Sequence, residues 1–381
     1  MKLLRTRVAI VVMLAALLAS ACSAAPVGPS APAATAAADD DPAWKALIDA
    51  AKAEGKLVIS GPPTTETRQQ LPKRFKERFG IDMEYIALGS TADLLVKVEA
   101  ERKAGLYTID NALGGAQSMY TVAYPNGFLA PIKPILINRE ATDGSKWTGG
   151  KVWYMDPKGD TIVRLGNYAT TLIIVNTKYV DASQIKSWKD LLRPEFKGKI
   201  AAFDPVRAGT GWETSNYLWK TFGDDFVKKL YVDQQPGISG DPSQLADWNA
   251  RGQYPITIAL RADQIEMLKT QGFPITVVSG LPDGPGTVTS GSGLLVMFDR
   301  APHPKAAALF ANWMAMREGQ EVWHGSQKTL SARTDVDNSA WASEYSYPKK
   351  GLEYFDAYGW DYTLDSRNPK ELEKLKKLLG K

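Results

Sequence analysis

Short segments rich in hydroxyl and small side chains mark where this chain could bind a polar solute. They follow predicted strands or open predicted helices, where free backbone N–H groups and the helix dipole favour a negative group. Helix capping explains the Ser and Thr positions about as well, so both interpretations stay open. The candidate binding residues in these segments are Ser60, Thr64, Thr65, Ser90, Thr91, Gly115, Thr210 and Gly211.

Charged and aromatic residues near the same segments add further candidates. Arg207 and Arg261 lie in predicted loops, and guanidinium groups suit carboxylate or phosphate, although a surface ion pair is an equal alternative. Asp263, two residues after Arg261, is a further candidate binding residue. Tyr168 and Trp212 could stack on a ligand, with a core position favoured for Trp212 because large aromatic residues are usually buried.

The chain offers no pattern typical of an enzyme or of a metal site. It has two histidines far apart, and its one cysteine lies near the N-terminus, so no metal-ligand spacing occurs. Neither a Gly-x-Ser-x-Gly motif nor a phosphate-binding glycine-rich loop is present. An exported hydrolase would need two cleft carboxylates, and only Asp263 can be placed. These absences argue against an enzyme, and we expect no cofactor.

The N-terminus predicts export. Residues 1–21 have a basic start, an apolar run too short for an easy membrane crossing and small residues before Cys22. Cys22 at the cleavage point resembles the lipidated cysteine of bacterial lipoproteins. The alternatives are ordinary cleavage after Ala21 and an uncleaved anchor. Residues 22–42, rich in Ala, Pro, Ser and Thr, predict a flexible linker, so the body would be tethered outside the cytoplasmic membrane.

Composition gives no support for nucleic acid as a partner of the body. The chain has 46 basic and 42 acidic residues, and removing Lys2, Arg5 and Arg7 with the leader leaves 43 against 42. A nearly neutral protein gives no electrostatic reason to bind nucleic acid. The remaining length suffices for two packed domains.

The elements that position the candidates begin with a β-α-β-α-β order. Apolar spacing predicts helices over residues 42–53, 66–79 and 92–104 and strands over residues 57–60, 81–87 and 109–113. This order implies a parallel sheet with flanking helices, and ligands of such sheets bind beyond the carboxyl ends of the strands. The loops at those ends hold the candidate residues.

A second α/β unit follows, with strands predicted over residues 172–177, 199–203 and 255–260. Helices are predicted over residues 212–222 and 244–252 between them, and over residues 302–315, 319–324 and 369–379 towards the end of the chain.

Several short motifs, in this order and spacing, resemble the periplasmic solute-binding proteins of ABC importers. The branch with ferric-iron, thiamine and polyamine binders is the most similar. The matching motifs are EGKLVI (54–59), ERKAG (101–105) with Asp110, VNT (175–177), SWKDL (187–191), FKGK (196–199), APHPKAA (301–307), FANWM (310–314) and EGQ (318–320).

The resemblance implies a two-lobed α/β fold of the type II periplasmic-binding-protein class, with the ligand in the cleft between the lobes. We assign residues 43–165 and 282–318 to the first lobe and residues 166–281 and 319–381 to the second. It further implies a monomer that captures a small polar or anionic solute by lobe closure and delivers it to a membrane permease. A ligand-sensing receptor with the same body is the alternative.

The resemblance also bears on ferric iron. Iron-binding members use a His, a Glu and two adjacent Tyr, which would fall near residues 63–64, 114–115 and 262–264 of this chain. No matching residue stands there, so iron would need non-standard ligands.

Overall fold

The computed structural model describes residues 40–170, 172–207, 210–260, 262–366 and 368–381 of the 381-residue chain. The predicted leader, most of the predicted linker and Cys22 lie outside the described residues. Two α/β bodies, called the first and second lobes below, are joined by a small third sheet.

The strands of the described residues form three sheets. In chain order they are β1 (Lys56–Gly61), β2 (Asp82–Ala87), β3 (Asn111–Gly114), β4 (Leu129–Ala130), β5 (Val163–Arg164), β6 (Tyr168–Thr170), β7 (Ile173–Asn176), β8 (Ile200–Phe203), β9 (Gly237–Ser239), β10 (Ile256–Ile258), β11 (Ile275–Val278), β12 (Thr287–Thr289), β13 (Leu294–Phe298) and β14 (Phe355–Asp356).

Helices cover the faces of the two larger sheets, and none in the described part has the length and apolar character that a membrane crossing requires. They are α1 (Pro42–Glu54), α2 (Thr65–Phe79), α3 (Thr91–Lys103), α4 (Ala116–Ser118, continued by a π turn over Met119–Ala123), α5 (Arg139–Thr142), α6 (Thr210–Lys228), α7 (Pro242–Arg251), α8 (Ala262–Thr270), α9 (Pro304–Ala315), α10 (Arg317–Gln327), α11 (Trp360–Ser366) and α12 (Pro369–Leu378).

The first lobe is built on a sheet of order β2-β1-β3-β13-β4, with β5 also paired to β13. Strands β2 and β3 both run parallel to β1, which confirms the predicted parallel β-α-β-α-β unit. Because β1 is central, only its first residue is exposed, and Leu57 and Ile59 are fully buried. Aromatic rings of Phe75 and Phe79 pack with Trp313 beneath this sheet.

The second lobe is built on a sheet of order β11-β7-β10-β8-β9. Strands β8, β9 and β10 run parallel to one another, whereas β7 is antiparallel to both β10 and β11. All four residues of β7 are buried, which accounts for the apolar sequence of that strand. The predicted second α/β unit is thereby confirmed.

The third sheet, of order β14-β12-β6, connects the lobes and is called the hinge below. Strand β6 carries the chain from the first lobe to the second, and β12 carries it back, with Tyr168 paired opposite Thr289. Strand β14, near the C-terminus, adds in parallel to β12. A two-lobed body joined by crossing strands is the architecture predicted from the sequence.

The last part of the chain, residues 319–381, divides between the lobes. Trp323 and Ala332 lie in the core of the first lobe, and helix α10 packs on α2. Leu375 and Leu379 lie in the core of the second lobe. The segment between them crosses the hinge.

Candidate ligand-binding cleft

The loops that follow β2 and β3 meet at one edge of the first sheet. The Thr91 hydroxyl oxygen accepts a hydrogen bond from the backbone N–H of Gly115 over 2.8 Å. A Cβ at Gly114 would stand 2.8 Å from the same oxygen, so glycine there permits the close approach. The structure therefore brings the predicted candidates Thr91 and Gly115 into direct contact.

The loop after β1 lies at the same edge, because β1 pairs with both β2 and β3. Ser60 is 1 % exposed and belongs to the strand, whereas Thr64 and Thr65 are exposed at the start of α2. The Thr64 side chain makes no capping hydrogen bond. The two threonines therefore present free hydroxyl groups at the helix start, whereas the Ser60 side chain is buried in the sheet.

Ser90 caps helix α3. Its hydroxyl oxygen accepts from the N–H of Asp93 over 3.1 Å and donates to the Asp93 carboxylate over 2.8 Å. The capping interpretation of Ser90 is thereby confirmed.

Arg68, one turn into α2, is a cation that the sequence reasoning missed. It is exposed and close enough to Tyr85 to oppose the rise that burial causes in the pKa of that phenol. Tyr85 in turn donates to the Pro62 carbonyl in the β1 loop over 2.8 Å. Within the described residues the Arg68 guanidinium has no hydrogen bond or ion pair. Its position three residues after Thr65, in the first turns of a predicted helix, was the sequence feature that could have identified it as a candidate.

The loop after β8 presents the candidates of the second lobe. Arg207 is exposed and donates to the Gly240 carbonyl over 2.6 Å. Thr210 is half-buried at the first position of α6. Gly211 packs directly on the Asp204 carbonyl, leaving no room for a Cβ. The loop is thus held by its own contacts, with the Arg207 guanidinium reaching the loop after β9.

Trp212 is 3 % exposed in the core of the second lobe, which confirms the favoured core interpretation. Its indole N–H donates to the Ser366 carbonyl. Arg261 lies outside the described residues. Asp263 lies in α8, which begins at Ala262.

The hinge region brings two aromatic residues, Tyr168 and Tyr358, to Gly291. Tyr168 is half-buried in β6, and its hydroxyl lies against Gly291, whose φ of +58° suits glycine. The hydroxyl of Tyr358, a residue absent from our candidates, donates to the Gly291 carbonyl. Its oxygen would lie 3.6 Å from a Cβ at Gly115.

Burial raises the pKa of Tyr358 to about 12, and the nearby Glu213 carboxylate acts in the same direction. The phenol therefore stays protonated and donates at neutral pH. Because Tyr358 arrives from the C-terminus, nothing in the local sequence linked it to Gly115.

Arg164 is a second hinge residue that the sequence reasoning missed. Its side chain is 0 % exposed and pairs with Asp356 over 2.6 Å. It also donates to the Gly166 carbonyl and to the Asn167 side chain. The guanidinium lies over the Trp153 ring at 4.6 Å. Because these partners occupy its guanidinium, Arg164 stabilises the hinge and is not a candidate for binding an anionic solute.

The histidines have structural partners. The His303 ring and backbone N–H both contact Asp110, at 2.9 and 2.7 Å. His324 is buried between the Thr329 hydroxyl and the Leu165 carbonyl. Among the described residues, no three His, Cys, Asp or Glu side chains are grouped closely enough to hold a metal ion.

Comparison with known proteins gives relatives over most of the chain. The family model for bacterial extracellular solute-binding proteins matches residues 70–349. An uncharacterized protein of Haemophilus influenzae is 27 % identical over 322 residues, which cover 82 % of this chain and 89 % of that protein.

Solved structures share the fold at low identity. The periplasmic binding protein P5PA has a TM-score of 0.58 and 22 % identity, covering 85 % of this chain and 99 % of that one. The periplasmic binding protein AfuA from Actinobacillus pleuropneumoniae, solved with fructose-6-phosphate, has a TM-score of 0.61 and 19 % sequence identity. The match covers 86 % of this chain and 99 % of that one. The ferric iron-binding protein A of Mannheimia haemolytica, in an open conformation, has a TM-score of 0.64 and 12 % sequence identity. The match covers 86 % of this chain and 98 % of that one.

These matches agree with the observed fold of two α/β lobes joined by a small third sheet. Proteins of this kind bind small solutes outside the cytoplasm and deliver them to ABC permeases; they are not enzymes. The chain belongs to the family of bacterial extracellular solute-binding proteins.

Proposed function

We propose that this protein captures a small polar or anionic solute between its lobes, closes over it and delivers it to an ABC permease. The observation that carries the proposal is the contact of Thr91 with Gly115 beside Tyr358. It gathers polar groups of two loops of the first lobe and one hinge residue at one place. Such convergent polar groups at the carboxyl ends of strands suit a solute site.

A negative group on the solute is supported by the helix starts and by one cation without an ion pair among the described residues. Helix α2 begins with the exposed Thr64 and Thr65, and Arg68 lies one turn on without an ion pair among the described residues. Helix α6 begins with Thr210 on the opposite lobe. Helix N-termini and guanidinium groups both favour phosphate or carboxylate. Because the similar Actinobacillus structure holds fructose-6-phosphate, a sugar phosphate is the first solute to test.

A thermal-shift screen tests the proposal. The panel is fructose-6-phosphate, inorganic phosphate, citrate, thiamine, spermidine and ferric citrate. A ligand that binds only the folded state at 100 times its Kd stabilises it by about 2.7 kcal/mol. We expect a rise in melting temperature with at least one anionic solute. A rise with spermidine or thiamine alone would refute the anionic class, and no rise with any member would count against solute capture.

A pair of glycine variants locates the site. Gly115 has φ −90°, and an added Cβ would meet nothing closer than 3.6 Å, so Gly115→Ala should fold normally while narrowing the site. Gly80→Ala is the matched control, since Gly80 ends α2 at φ +75° with no atom within 4 Å. It should lose stability and keep the ligand shift. A ligand shift retained in Gly115→Ala would remove this residue from the site.

We further propose that Cys22 carries a lipid and tethers a monomeric body to the membrane. The support is the leader-like sequence before Cys22 and the low-complexity linker after it. Cys22→Ser should move the protein from the membrane fraction to the soluble fraction and abolish incorporation of a labelled fatty acid. Membrane retention in Cys22→Ser would favour an uncleaved anchor, and a soluble wild-type protein would favour ordinary cleavage.

A further inference from the structure

Residues 355–366, called the clamp below, contact both lobes and the hinge. We propose that the clamp fixes the angle between the lobes, with Trp360 as its positioning residue. Coupling of the clamp to solute capture rests on the proposed function, whereas its control of the lobe angle does not.

The clamp is anchored to the hinge and the first lobe. Asp356 pairs with the buried Arg164, and the Tyr120 hydroxyl donates to the Tyr358 carbonyl over 2.8 Å. The Trp360 ring lies 4.5 Å from the Tyr120 ring and 5.1 Å from the Tyr124 ring, measured between centroids. Tyr120 belongs to the π turn that continues α4, so Trp360 packs against the element that follows the Gly115 loop.

The other end of the clamp is anchored to α6 of the second lobe. Asn216 donates to the Tyr362 hydroxyl over 3.2 Å, and Lys220 pairs with Asp365. The indole of Trp212 donates to the Ser366 carbonyl. Helix α11 thus holds the first lobe at Trp360 and the second lobe two to six residues later.

The clamp adds a further covalent path across the hinge, beside those of β6 and β12. Strand β14 pairs with β12, and the N–H groups of Phe355 and Ala357 donate to the carbonyls of Gly286 and Val288, each over 3.0 Å. Two crossing strands alone form a hinge that absorbs rotation in a few residues. A further segment packed on both bodies must change its contacts on one side whenever the lobes rotate.

This placement links the two sets of candidate loops. The Gly115 loop leads directly into α4, and Thr210 begins α6. The clamp contacts both of these elements, so a change in its contacts should alter the separation of α4 and α6 and with it the space between the candidate loops. Packed interfaces of this kind favour discrete arrangements rather than continuous bending.

Spin-label distance measurements test the clamp without any ligand. Labels are placed on Val96→Cys in the first lobe and Met267→Cys in the second, both exposed, in the full chain carrying Cys22→Ser. Trp360→Ala removes the contact with Tyr120 and Tyr124. Trp248→Ala is the matched control, since Trp248 is also half-buried and packs in the second lobe, against Tyr254.

We expect Trp360→Ala to broaden the distance distribution and shift its mean, and Trp248→Ala to leave it unchanged at a similar loss of melting temperature. Should Trp360→Ala fail to fold, Lys220→Ala breaks the other end at a partly exposed ion pair and should broaden the same distribution. Distributions of the clamp variants that coincide with that of the parent would overturn the proposal. Because no solute is present, this outcome is independent of whether the screen finds a ligand.

Discussion

Protonation of His324 should make the stability of this protein fall as the pH falls below neutrality. The imidazole is 0 % exposed, and burial lowers its pKa to about 3, against the opposing hydrogen bond to the Leu165 carbonyl. A carbonyl only accepts, so Nε2 carries the proton and Nδ1 accepts from the Thr329 hydroxyl. The folded state therefore holds this ring neutral.

The sign and size of the effect follow from linkage. The unfolded chain takes up a proton at His324 below a pKa of 6.5, whereas the folded chain does not until about pH 3. Stability is therefore complete above pH 6.5 and is lost as the pH falls from 6.5 towards 3. Between pH 7 and pH 5 the loss is about 2 kcal/mol, nearly all of it set by the unfolded pKa.

Urea unfolding at pH 7, 6 and 5 measures this loss. His324→Gln keeps a donor and an acceptor but does not titrate, and every other residue is the same in both proteins. We expect the wild type to lose about 2 kcal/mol more than His324→Gln over this range. Parallel profiles for the two proteins would refute the assignment of a neutral buried imidazole.

Three further substitutions have expected costs that urea unfolding can measure. Asp356→Asn should cost about 1–3 kcal/mol, less than a fully buried pair, because Asp356 is 41 % exposed while Arg164 is 0 % exposed; a cost under about 0.5 kcal/mol would contradict the clamp anchor. Ser90→Ala should cost about 1 kcal/mol through loss of the α3 cap, and an unchanged midpoint would contradict the capping role. Gly211→Ala should cost about 1–3 kcal/mol because its Cβ overlaps the Asp204 carbonyl, and a neutral result would show that this loop yields.

Local patterns in the sequence predicted most of the elements. The strand predicted over residues 57–60 is β1 (Lys56–Gly61), and the helix predicted over residues 66–79 is α2 (Thr65–Phe79). Apolar spacing and glycine stops determine such elements within one stretch of chain. Helix α6 extends to Lys228, beyond the predicted end at residue 222, because the chain resumes a helical course after Gly223.

The contacts between distant segments were not predictable in this way. The stretch from residue 343 to residue 366 has many aromatic residues and no clear period, so its path across the hinge was missed. Tyr358 meets Gly115, and Asp356 meets Arg164, over separations of more than 190 residues. Only the tertiary arrangement brings these pairs together.

The candidate cleft residues include contacts that the sequence could predict and contacts that it could not. Thr91 and Gly115 meet because parallel neighbours of β1 end at one edge, which topology alone predicts. The partner of Arg207, the Gly240 carbonyl, depends on the path of a later loop. Solute identity depends on the joint geometry of both lobes, which single motifs do not determine.

Whether a solute binds between the lobes at Gly115 is tested most directly by calorimetric titration. Fructose-6-phosphate, or whichever panel member gives the largest thermal shift, is titrated into the wild type, Gly115→Ala and Gly80→Ala. We predict one saturable site per chain in the wild type and in Gly80→Ala, and its loss in Gly115→Ala. Equal affinity in all three proteins, or no saturable binding in the wild type, would contradict a solute site at this edge of the first lobe.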